Sequence, residues 1–101
     1  MKKELEGTIS PEQIEELKAK HGDVYAIGFT DCIMYVRRPN RKELSYIMTL
    51  QNDPLQMGET FIKTCKIAGS DKPITHVGHL VGAIEQMERI MEVQKATLLK
   101  L

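Results

Sequence analysis

Three groups of residues in this 101-residue chain have types and spacings that chemistry can use. His76 and His79 stand three apart, so a helix would put both imidazoles on one face. Two imidazoles begin a metal site, but zinc takes three or four ligands in a defined geometry. Cys65, His21 and Glu85 are the donors that would have to complete it, and nothing in their spacing draws them together. Polar residues in the first turn of a helix explain the histidines more simply. Cys32 or Cys65 beside a histidine would make a nucleophile pair. Cys32 falls beside a turn and Cys65 at an apolar helical position, so both read as small core residues. No nucleophile elbow and no phosphate-cradling glycine loop is present. The sequence therefore predicts no catalytic residue, no metal site and no cofactor.

The third group is basic. Arg37, Arg38, Arg41 and Lys42 cluster within six positions. Guanidinium groups grip phosphates or acidic segments in a fixed fork. The plainer reading is a solvated sheet edge, where charge discourages stray strand pairing. Arg37 and Arg41 have Glu43, Asp53 and Glu59 as candidate ion-pair partners. Lys plus Arg and Asp plus Glu are both 14, so formal net charge is zero. That weighs against a general nucleic-acid binder, whose affinity rests on clustered positive charge, and leaves self-association unopposed.

The elements that must carry these residues are legible from their caps and periods. Residues 1–9 read as a flexible polar lead, and residues 10–101 as a single α+β domain. Ser10 caps a first helix, with Pro11 at its first position and Gln13 closing a capping box. Gly22 stops it. From Val24 to Val36 the period changes to two, with a polar break at Thr30-Asp31, which reads as a β-hairpin. A lone hairpin needs a cover, supplied by helices or by the strand of a second copy. Pro39 ends the ladder because it has no amide hydrogen. Asn40 and Glu43 form the capping box of a second helix. Asp53 and Pro54 start a third, which runs over Phe61, Ile62, Cys65 and Ala68 to a stop at Gly69. Gly58 within it marks a kink or a close approach. Gly78 and Gly82, four apart, permit tight helix packing.

The last helix carries the longest apolar pattern. Val77, Leu80, Ile84, Met87 and Met91, then Leu98 and Leu101, follow three-four spacing past a polar Gln94. A helix from 77 to 101 would be about 37 Å long and would overhang a domain of this size. The expected fold is thus an N-terminal helix, a β-hairpin, then a three-helix C-terminal part with a long last helix. With 6 Met and no Trp, its apolar surface is sulfur-rich and adaptable. Met87, Met91, Leu98 and Leu101 become candidate partner-binding positions, with the seam also serving self-association. No signal-peptide core and no run of ~20 apolar residues is present. With 2 cysteines and no disulfide framework, a reducing cytoplasm is expected.

The order of pieces carries one resemblance. Gln13-Ile14-Glu15-Glu16-Leu17-Lys18-Ala19-Lys20-His21-Gly22-Asp23-Val24-Tyr25 leads into the hairpin. Tyr35-Val36-Arg37-Arg38-Pro39-Asn40-Arg41-Lys42-Glu43-Leu44 leaves it for a helix. A cysteine-containing helix and a long C-terminal helix follow. This resembles the small tail assembly chaperones of long-tailed bacteriophages and related prophages, over about residues 10 to 101. The resemblance implies a non-enzymatic helper in the host cytoplasm. It would coat a tape-measure protein, a long helical client, while tail-tube subunits assemble around it. Arg37, Pro39 and Arg41 carry over as structural or binding positions. The rival expectation is a small nucleic-acid-binding or regulatory protein that uses residues 37–42.

Overall fold

The computed structural model describes residues 5–91 and 96–101, without the side chain of Glu88. The first helix, α1, spans Pro11–His21. Its capping box is complete: Gln13 N donates to Ser10 Oγ at 3.2 Å and Ser10 N to Gln13 Oε1 at 2.9 Å. None of its residues is fully buried, as its thin apolar stripe requires. Strands β1 (Val24–Gly28) and β2 (Ile33–Arg37) form the antiparallel hairpin, with Ala26 opposite Tyr35.

Helix α2 spans Arg41–Met48 and α3 spans Pro54–Cys65. Here the structure departs from expectation. The chain leaves the helix after Cys65, and Lys66–Gly69 forms a third strand, β3, antiparallel to β2. β2 is therefore the central strand of a three-stranded sheet ordered β1-β2-β3. Gly69 ends that strand and not a helix. Its φ is +100°, and a Cβ there would lie 2.6 Å from Met34 Cα. A residue with a side chain has no room beside the β2 backbone. A single helical turn, α4 (Lys72–Thr75), leads into α5 (Val77–Met91).

Part of the N-terminal lead meets the sheet. Ile33 N donates to Glu6 O at 2.9 Å, and Ser70 N donates to Ile33 O at 2.9 Å. β3 is too short to satisfy the Ile33 amide, and buried backbone donors must find partners. Residues around Glu6 fill the place. Residues 1–4 lie outside the described set.

The core lies between one sheet face and the helices α3 and α5. Ile27, Met34 and Val36 from the sheet meet Phe61, Ile62, Cys65, Leu80, Ala83, Met87 and Ile90. Gly58 is buried, and a Cβ on it would collide with Ile84, so its role is the close approach of α5. Gly82 faces Phe29, at 3.4 Å from a built Cβ, while Gly78 opens onto space. The long apolar seam is not helical throughout: α5 is described over Val77–Met91, Gln94 falls among residues 92–95 outside the described set, and residues 96–101 are exposed and not helical. Met87 is 2% exposed and Met91 packs against the core. The methionines counted as a client-binding surface are thus largely interior, because α5 needs that face to cover the sheet. Leu98 and Leu101 are exposed beyond the helix. Among the described residues no helix is long and apolar enough to cross a membrane.

Candidate functional site

The basic cluster divides in two. Arg37 makes a two-pronged pair with Glu43, at 2.7 Å on both oxygens, and donates to Thr64 O at 3.1 Å. Glu43 also receives the Asn40 N–H at 2.9 Å. One carboxylate therefore joins the end of β2, the cap of α2 and, through Arg37, the end of α3. Those donors hold the Glu43 carboxyl down at about 2, and the pair raises Arg37 in turn. Arg38 donates Nε to Ile90 O at 3.2 Å and its guanidinium to the Tyr25 hydroxyl. It ties β2 to the end of α5. Pro39, in the short link from β2 to α2, is buried. Arg37 and Arg38 are occupied inside the fold, while Arg41 and Lys42 are exposed on α2. Because β2 is central, the arginines do not guard a sheet edge.

Among the described residues the sheet edges are β1 and β3, and β1 is the longer of the two. Alternate residues of an antiparallel strand turn their backbone groups toward the partner strand, and the others turn them away. Phe29 N donates to Cys32 O at 2.8 Å. With the observed register, Phe29, Ile27 and Tyr25 address β2. Val24, Ala26 and Gly28 present their N–H and C=O outward. Among the described residues β1 pairs on one side only. Proteins usually protect such an edge with charge, proline or a bulge; Val24-Tyr25-Ala26-Ile27-Gly28 has none of these. Ala26 and Gly28 are exposed and too small to shield their own backbone.

Facing this edge is α5. Gly82, Glu85, Gln86, Arg89 and Ile90 form the opposite wall of a cleft of about 570 Å³ whose floor is Tyr25–Phe29. Arg89 donates to Gln86 Oε1 at 3.2 Å, so this wall offers both hydrogen-bond types and both charges. Strand backbone on one side and a mixed polar helix on the other suit an extended peptide. Sequence reading missed this site. Its signal was the uncharged strand without proline, but which strand lies at the edge depends on β3.

A second corner gathers titratable groups at the opposite end of β2. His79 Nε2 lies 2.8 Å from Asp31 Oδ1. Lys72 Nζ lies 3.1 Å from Asp31 Oδ2 and 3.0 Å from Glu6 Oε2. His79 and Lys72 hold the Asp31 carboxyl well below its usual range. Burial pushes the Cys32 thiol up. Cys65, the cysteine first grouped with the histidines, is raised to about 11 by burial and is influenced by Arg37 and Glu43. His76 stays beside His79, with ring centroids 5.5 Å apart, and bonds Thr75. Burial works against the thiolate form at both cysteines.

No protein-family model matches this chain, and no curated protein matches it. Among solved structures it is similar to an uncharacterised protein, rbstp2171, of Bacillus stearothermophilus. The two share 21% identity and a TM-score of 0.63, covering 86% of this chain and 99% of the other. That similarity establishes a shared fold.

Proposed function

We propose that this protein is a non-enzymatic binding module that takes up an extended segment of a partner protein along β1. The observation that carries this reading is the open, uncharged β1 edge lying beside the polar wall of α5. An incoming strand would pair with the outward groups of Val24, Ala26 and Gly28. Its side chains would alternate between the cleft and solvent. In its finer form the reading is a tail assembly helper acting on a tape-measure protein in the host cytoplasm. Support for that finer form is the resemblance of residues 10–101 to the tail assembly chaperones. The nucleic-acid alternative is weakened, since Arg37 and Arg38 are committed to internal partners.

Ala26→Pro tests the reading. It deletes an outward N–H and spares the ladder to β2, so an edge strand should tolerate it. The tagged wild type and the variant are compared in capture from a phage-producing host, and the captured protein's candidate strand is then synthesised and titrated. Binding by the wild type and its loss in the folded variant support edge pairing. Equal binding by both would remove β1 as the site. A captured partner that is one very long helical protein would favour the tail-assembly form.

A further inference from the structure

We propose that Asp31, Cys32 and His79 form a binding site for a transition-metal cation, zinc being the best match to the donor set. It adjoins the β1 cleft through Phe29, but none of its three ligands lines that cleft. One carboxylate oxygen, the thiol sulfur and an imidazole nitrogen all lie within 4.8 Å of one another. Around a tetrahedral zinc, ligand atoms at their usual bond lengths are separated by roughly 3.3–3.8 Å. The three side chains therefore need only small shifts. Opening the 2.8 Å contact between His79 and Asp31 by about half an ångström admits the ion. Thiolate plus imidazole selects zinc or cobalt over magnesium and calcium, which prefer oxygen cages.

The surroundings hold this geometry. Asp31 and Cys32 are adjacent at the hairpin turn, and Cys32 is fixed by the bond from Phe29 N to its carbonyl. The His79 ring packs against Phe29, with centroids 5.0 Å apart. Lys72 holds the second oxygen of Asp31 and leaves Oδ1 toward His79. Such outer contacts orient metal ligands and tune affinity. The charges balance. The ion brings two positive charges, against the Asp31 carboxylate and the Cys32 thiolate. Lys72 and Glu6 offset each other. The thiol proton leaves to solvent as the sulfur–metal bond forms, so binding strengthens as pH rises. Cys32 closes the site from the core side, while Asp31 and His79 are partly exposed. A fourth position is left to water.

Cobalt(II) titration of the whole chain reads this directly, because a thiolate ligand gives a near-ultraviolet charge-transfer band. Wild type and Cys65→Ser should show the band, saturating at one ion per chain and abolished by added zinc. Cys32→Ser should lack it. His79→Gln, a change at a partly exposed position that should keep the native circular dichroism, should weaken binding at least about tenfold. Zinc should raise Tm in the wild type more than in His79→Gln. No band in folded wild type, a band that survives Cys32→Ser, or unchanged affinity in His79→Gln would overturn the site. If Cys32→Ser does not fold, the His79→Gln comparison decides.

Discussion

The two ends of β2 are finished in different ways. At its C-terminal end Arg37 pairs with Glu43, six residues away, and the same carboxylate closes the cap of α2. That corner is local in sequence, two-pronged and largely enclosed, with side chains 23% and 22% exposed. At the other end Asp31 meets Lys72 and His79, 41 and 48 residues away. Those charges are wetter and single-pronged, and they surround a buried thiol. The first corner is built to hold elements together. The second brings the hairpin turn and the α4–α5 segment together around a thiol. Geometry of the first kind reports structure; geometry of the second kind reports a candidate ligand site.

The largest expected effect falls beside the Cys32 end, where backbone and not charge does the holding. Gly69→Ala should cost about 3 kcal/mol, because its φ is positive and the new methyl meets the Met34 backbone. Urea denaturation of the variant measures it; a loss under about 1 kcal/mol would mean that β3 docks less closely than described. Next, Arg37→Ala should cost about 2 kcal/mol, since it strands a largely enclosed carboxylate. Full retention of stability with lost partner binding would instead move Arg37 into a binding role.

The same corner sets an acid limit. Glu43 sits at about 2 in the fold against 4.5 ordinarily. Its charged state therefore favours the fold above pH 4.5, and that gain disappears as pH falls toward 2. Glu43→Gln should remove about 2 kcal/mol of stability at neutral pH and flatten the decline between those values. An unchanged acid profile in the variant would place the limiting carboxylate elsewhere. The smallest effect belongs to the exposed cations. Arg41→Ala and Lys42→Ala should each change stability by less than about 0.5 kcal/mol, and thermal melts check this. A larger loss at either position would extend the structural corner into α2.

Much of the fold was legible because caps are local. Ser10 with Gln13, Asn40 with Glu43, and Asp53 before Pro54 each announce a helix start within four residues. The hairpin was legible from its period of two. β3 was not. Cys65 and Ala68 keep helical spacing, and only pairing with β2 decides for a strand. That is a long-range gain invisible to a window of sequence. The reach of the last helix was overstated for a related reason: three-four spacing continues to Leu101, but a helix also needs a surface to cover. Of the candidate sites, the basic cluster was visible, but which arginines face inward depends on where α3 and α5 end. The Asp31–Cys32–His79 corner was half seen. The histidines drew notice with Cys65 as a metal donor and with either cysteine as a nucleophile pair, but Asp31 was not grouped with them, because nothing local links a hairpin turn to α5.

The β1 edge should stay open until a partner strand adds to it, and amide hydrogen exchange reads this residue by residue. In the free protein the Val24, Ala26 and Gly28 amides should exchange quickly while those of Tyr25 and Ile27 are protected. In the complex with the captured segment all five should be protected. Slow exchange at Ala26 and Gly28 in the free protein, or no slowing at them in the complex, would contradict it.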